Sequence, residues 1–325
     1  MTTRRSSSSL SITDVFLVLM VVVWGVNYSA LKRAFEEIPP PVFNTLRLVI
    51  ASCVFLVSIR VAGRRAAGSN SVLASVFHTS HELTRRDRWD LLWLGLVGHL
   101  GYQLCFVNGL ARTTASNGAL IFGATPVVVA LLSAALGRER VGRLHWLGAA
   151  LSTAGIYFVV GHDALSSTAA RGTLTGDLLI GLGVLCWAAY TIGGMRLMAR
   201  HSPLFVTGVT MAVGTVPYAV WASPRFAEVQ WAAVTPTVWG LLLFGSLGAF
   251  CFSYLVWYAA VKQLGPARTS IYSNAIPIVA MVFAALWLGE PITGTKLLGA
   301  VAVISGVVLT RLSQRLARVA APPES

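Results

Sequence analysis

Residues 124–155 read ATPVVVALLSAALGRERVGRLHWLGAALSTAG, and residues 275–306 read AIPIVAMVFAALWLGEPITGTKLLGAVAVISG. A shift of 151 lays one on the other without a gap. Ala124, Pro126, Val128, Glu139, Leu147, Gly148, Ala149 and Gly155 then fall on Ala275, Pro277, Val279, Glu290, Leu298, Gly299, Ala300 and Gly306. Identity is low, but the matches include residues that break, cap and close-pack helices. Working outward, Trp24 meets Trp187 at a shift of 163, and Pro41, Phe43 and Thr45 meet Pro203, Phe205 and Thr207 at 162. The extra residues fall in the basic loop at 60–88, read as an insertion.

Ten apolar stretches fill the chain, at about 15–31, 42–59, 90–110, 117–136, 144–161, 177–195, 204–222, 236–260, 269–288 and 295–310. A helix of roughly 17–25 mainly apolar residues crosses the hydrocarbon layer. The chain is 55% hydrophobic and 11% charged, with a mean hydropathy of +0.71. The expected fold is all-α and polytopic: ten transmembrane helices as two inverted five-helix repeats, over 12–161 and 177–311. Five is odd, so the second copy enters the membrane from the opposite side. In transporters built this way the substrate site lies near the midplane, and rocking gives alternating access. The tails 1–11 and 312–325, Ser-, Arg- and Pro-rich, read as disordered.

The formal charge of +13 follows topology. With both termini cytoplasmic, 18 of the 25 Lys and Arg lie inside, six lie outside, and Arg47 alone falls within a span. The basic excess therefore meets membrane lipid head groups; no basic segment has the interleaved aromatics of a nucleic-acid binder. The first stretch lacks a clear cleavage site and reads as a retained helix. Cys53, Cys105, Cys186 and Cys251 lie within spans without metal-ligand spacing and read as packing residues, so no metal or other cofactor is expected. No H-E-x-x-H, G-x-S-x-G or paired aspartates mark an intramembrane enzyme, and Gly289 to Lys296 is one residue off a P-loop in the wrong context.

Trp24-Gly25-Val26-Asn27, Pro41 through Arg47, Ala124-Thr125-Pro126, Gly137-Arg138-Glu139 with Leu147-Gly148-Ala149, and Leu288-Gly289-Glu290 with Leu298-Gly299-Ala300 resemble the EamA-type drug/metabolite transporter family. The resemblance covers most of 12–311. It implies a ten-helix carrier of the bacterial inner membrane, commonly an exporter of amino acids or other small metabolites. The first copy departs by reading Gly-Arg-Glu where the second reads Leu-Gly-Glu, and the loop at 60–88 is long for the family.

His99, Gln103 and Phe106 share one face of the third span near its middle. A polar stripe there faces protein or a water-filled cavity. Shifted by 151, these positions become Phe250, Tyr254 and Trp257 on the eighth span. One half offers hydrogen bonds and the other ring faces, which suits a substrate with polar and apolar parts; bonding between helices and core packing are the plainer readings. Trp24, Asn27, Trp187 and Tyr190 occupy matched places in the first and sixth spans, and the resemblance directs them to the cavity. Two roles fit Arg47, six residues into its span: facing a substrate anion, or snorkelling to the interface. Its mirror is Val209. Asn117 and Asn274 are amides on the fourth and ninth spans that need partners, from another helix or from a ligand.

Pro126 and Pro277 interrupt the fourth and ninth spans and are candidate gating kinks. Glu139 and Glu290 are expected to cap the helices that follow them. No acidic residue reaches a midplane, so His99 is the candidate for any proton coupling. Monomer and homodimer both remain open.

Overall fold

The structure, a computed structural model, describes residues 12–66, 82–136, 143–160, 168–264 and 272–320. The first-copy segment Gly137-Arg138-Glu139 and the tail 1–11 lie outside them. The described elements are helical: α1 (Ile12–Ala34), α2 (Pro40–Ala66), α3 (Arg85–Arg112), α4 (Ala115–Gly123), α5 (Thr125–Ala135), α6 (Arg143–Val160), α7 (Thr168–Arg200), α8 (Pro203–Ala222), α9 (236–264), α10 (Ile276–Leu288) and α11 (Gly294–Ala320). Short 3-10 turns at Ser223–Glu228 and Trp231–Ala233 join α8 to α9.

Six helices are long and apolar enough to cross a bilayer: Ile12–Ala34, Pro40–Val61, Arg85–Arg112, Thr173–Arg200, Pro203–Glu228 and Pro236–Trp257. Shorter apolar helices at Ala115–Val129, Trp146–Phe158, Ile276–Leu288 and Gly294–Leu309 coincide with the expected fourth, fifth, ninth and tenth spans. Exposed Trp93, Leu185, Val216, Val220 and Leu286 turn apolar surface outward, as hydrocarbon surroundings require. This is a multi-pass, all-α membrane protein.

Four departures from a plain α-helix organise it. The fourth and ninth spans are broken rather than kinked. α4 stops at Gly123 and α5 starts at Thr125, while the turn at 274–275 precedes α10. Pro126 and Pro277 sit in the first turns of α5 and α10, where a missing N–H costs nothing. The breaks face each other: a Cβ at Gly123 would lie 2.7 Å from Pro277 Cγ. In addition α3 is π-helical over Leu96–Gly101 and α9 over Phe244–Phe252, stretches that overlap under the same shift of 151.

α6 and α11 show the pseudo-symmetry most directly. A Cβ at Gly155 would fall 2.8 Å from Gly299 O, and one at Gly306 would fall 2.4 Å from Gly148 O. Gly148 matches Gly299 and Gly155 matches Gly306, so one contact is made twice, in opposite directions. Small residues let the two backbones touch. α11 continues to Ala320, into the segment expected to be a disordered tail.

Packing does not follow the two copies. α3 lies along α7, with α5 and α8 beside them, and α1 lies along α9 and α10. Each set takes helices from both copies; α2, packed chiefly on α8 and also on α9, and α4, packed on α10, α7 and α1, span the seam between them. Between α2 and α8 the Ser52 and Thr215 hydroxyls bond at 3.0 Å.

Overpacking a tight helix crossing costs about 1–3 kcal/mol. Gly306→Leu is expected to lower the stability of the purified protein by that amount in thermal or denaturant unfolding. Gly181→Ala, where a Cβ meets open space, is expected to be neutral or stabilising.

Candidate functional site

Between the two sets lies a continuous cluster of rings. Trp24 on α1 stands 5.9 Å from Trp257 and 6.1 Å, edge-on, from Tyr254. Tyr254 also meets Trp187 of α7 edge-on at 5.9 Å, so it bridges the two matched tryptophans. Trp187 contacts Tyr102 at 5.3 Å, Tyr190 at 5.6 Å and Phe122 at 6.3 Å. Phe106 closes the cluster against Tyr28 at 5.7 Å. Trp24, Trp187 and Trp257 are half-buried, whereas Phe106, Phe250 and Tyr254 are buried.

The π-helical stretches make this possible. A π turn is wider than an α turn and releases backbone carbonyls. In α9, Trp24 Nε1–H donates to Ala249 O at 2.9 Å and Ser253 Oγ–H to Gly248 O at 2.9 Å. Each stretch also opens with a glycine that admits a site side chain: a Cβ on Gly98 would strike the Tyr190 ring at 2.2 Å, and one on Gly245 would strike Arg47 Nε at 2.5 Å. His99, inside the α3 stretch, is fully buried, edge-on to Tyr190 at 5.2 Å and backed by Gly214. Neither of its ring nitrogens, nor Gln103 Oε1, has a hydrogen-bond partner among the described residues. Tyr190 shares a 3.2 Å hydrogen bond with Thr210.

Arg47 does not snorkel. It is 1% exposed and its guanidinium lies over the Phe250 ring, 4.6 Å from the centroid. It donates to Asn44 Oδ1 and Asn27 Oδ1, both at 3.3 Å, with Gly245 O at 3.5 Å. Asn27 thus reaches the site through Arg47. Asn117 and Asn274 do not join these contacts. Asn117 lies in the first turn of α4, where its N–H donates to Thr114 Oγ1, and Asn274 lies half-buried in the turn before α10. Tyr28, Asn44, Tyr102 and Phe122 belong to the site and were not singled out from sequence.

A family model described as the EamA-like transporter family matches residues 11–161 and 174–312. The chain belongs to the EamA-like transporter family. Similar proteins include the uncharacterized transporter YyaM of Bacillus subtilis, 30% identical over 69% of this chain and 73% of the relative. An uncharacterized transporter of Archaeoglobus fulgidus is 25% identical over 93% of this chain and 98% of its own length. A solved crystal structure, 19% identical, superposes with a TM-score of 0.61 over 95% of this chain and 99% of that one, a likeness of fold. As an EamA-like protein it is a membrane transporter of the drug/metabolite superfamily.

Polar ties at matched places hold this EamA-like bundle together. Within one set, Glu37 accepts from Thr235 N–H at 2.8 Å, and those bonds hold its carboxyl below the usual carboxylate range. Within the other, Asp87 pairs with Arg196 at 3.0 Å and Arg200 at 3.3 Å. Glu37 matches Arg200 at a shift of 163, and Thr235 matches Thr84, which caps α3 together with Asp87, at 151. Asp14 and Asp177 also match, the first accepting from Tyr272 at 2.6 Å and the second from Thr113.

Other ties cross between the sets, at the end where α1 finishes. Lys32 Nζ donates to Thr113 O at 2.9 Å. Glu290 accepts from the backbone N–H groups of Ala115 and Ser116, at 2.7 and 3.1 Å. Glu290 was expected to cap the helix that follows it; it caps α4 instead. Gly289, at φ +67°, ends α10 in a left-handed turn that aims the next residue at α4.

Glu290→Ala leaves two N–H groups at the α4 terminus without their acceptor. A lost cap costs about 1 kcal/mol, so a lower melting temperature of the purified protein is expected, together with faster labelling of a cysteine placed at Arg112.

Proposed function

We propose that this protein exports a small metabolite, an amino acid or related compound, across the bacterial inner membrane by alternating access, with both termini in the cytoplasm. One observation carries the reading: matched broken helices from opposite copies meet at Gly123 and Pro277, beside a ring cluster drawn from both packing sets. The moving parts are those sets, α3 with α5, α7 and α8 against α1, α9 and α10, with α2 and α4 at the seam, rather than the two sequence copies. Pro126 and Pro277 then act as gates, because the discontinuities let each half-helix swing separately. The Lys32 and Glu290 ties close the outer face. Both the outward direction and the inner-membrane location follow the family resemblance, and the distribution of Lys and Arg supports the orientation.

The cargo is held between Trp24, Trp187, Tyr190, Tyr254 and Trp257, with Phe106 and Phe250 as apolar walls and, among the described residues, Gln103 Oε1 and the His99 ring nitrogens as polar atoms without a partner. Ring faces also suit amphiphilic drugs, which is the competing reading. Among the described residues no carboxylate contacts this centre, so a proton-coupled step would run through His99.

The test compares metabolites in cells with and without the protein, then measures flux of the accumulated compound in proteoliposomes. Build-up of one metabolite on deletion is expected, with flux that responds to a pH gradient in the wild type and loses that response in His99→Gln. Resistance to a dye and antibiotic panel without metabolite build-up would favour the drug reading, and absence of any flux would contradict transport.

A further inference from the structure

Arg47 is a buried cation with no anion beside it among the described residues. It lies seven residues into α2, roughly 10 Å from the helix start. Among the described residues no carboxylate comes within ion-pair distance of it. The ionisable groups facing it are the hydroxyls of Tyr102, Tyr218 and Tyr254. Its bonds to Asn27 Oδ1, Asn44 Oδ1 and Gly245 O are long, 3.3–3.5 Å, all to neutral oxygens, and Nε has no partner among the described residues. Neutral dipoles and the Phe250 face ease the cost of burying the charge without cancelling it.

A guanidinium carries five N–H donors in a planar fork that matches a carboxylate. Here the fork is pinned from three helices, α1, α2 and α9, in the slot that Gly245 leaves open. It borders the ring cluster, since its guanidinium lies over Phe250, whose ring stands 6.3 Å from that of Tyr254. The pseudo-symmetric position holds Val209, so the site is charged at one end only. A cargo anion would supply the missing charge on entering, and its apolar body would lie against the rings of Trp24, Trp187 and Tyr254.

Resting on the transport reading above, we propose that the cargo is an organic carboxylate whose anionic group is seated on Arg47, with Asn27 and Asn44 as positioning residues. A purely structural pin would hold α1, α2 and α9 together equally well, but it would not tell an acid from its amide.

The experiment uses the purified full chain in lipid nanodiscs, read by intrinsic tryptophan fluorescence and by melting temperature. The probes are monocarboxylates from acetate to 3-phenylpropanoate and a series of α-amino acids, each beside its own amide. At least one acid is expected to bind about tenfold or more tightly than its amide. That preference should vanish in Arg47→Gln and return in part in Arg47→Lys, which restores the charge without the fork. Equal binding of acid and amide, acid preference that survives Arg47→Gln, or no response to any acid would overturn the proposal. The acid–amide comparison on the wild-type protein stands even where a variant does not fold. Those results would leave the transport reading intact, because metabolite build-up and flux are measured without reference to the charge of the cargo.

Discussion

Backbone groups released inside hydrocarbon must find partners within the protein, and that requirement decides where this chain can depart from α-helix. Among the described residues it departs at four interior places, two breaks and two π-helical stretches, paired by the internal repeat. Each departure is tied to a close contact. Gly123 lies on Pro277, Gly98 admits Tyr190, Gly245 admits Arg47, and Trp24 takes up the Ala249 carbonyl. The same places therefore supply the site's geometry and limit what can replace its residues.

Symmetry of backbone coexists with asymmetry of chemistry. α6 and α11 repeat one glycine contact in both directions, and Thr84 and Thr235 begin matched helices. Yet Arg47 stands opposite Val209, His99 opposite Phe250 and Glu37 opposite Arg200. A two-fold scaffold can open equally toward either face, whereas the unpaired chemistry gives a bound molecule one orientation. Arg47 on α2 lies over Phe250 of α9, whereas His99 and Gln103 lie on α3.

Much of this was legible in the sequence, for physical reasons. Apolar length marks helices in a bilayer, and Pro126 with Pro277 marked the discontinuities, although as kinks rather than breaks. The 3.6-residue periodicity placed His99, Gln103 and Phe106 on one face, and the structure buries all three. Tyr102, three residues after His99, shares that face by the same spacing and was passed over because a tyrosine alone does not mark a site. Burial of Arg47 was undecided because a long side chain near a helix end can reach water, and only the Gly245 slot and the Asn27 contact fix it. The partner of Glu290 escaped because a left-handed glycine redirects the chain, which no spacing rule reports.

The most direct measurement is the distance between spin labels at Arg112 and Ile292, exposed positions flanking the Lys32 and Glu290 ties between the two sets. A second pair at Trp89 and Ala199, within one set, serves as reference. Pulsed dipolar spectroscopy in nanodiscs is expected to give a second, longer population for the first pair when pH or cargo changes, while the reference keeps a single distance. One unchanging distance for the first pair in every condition, or splitting of the reference pair instead, would contradict the account.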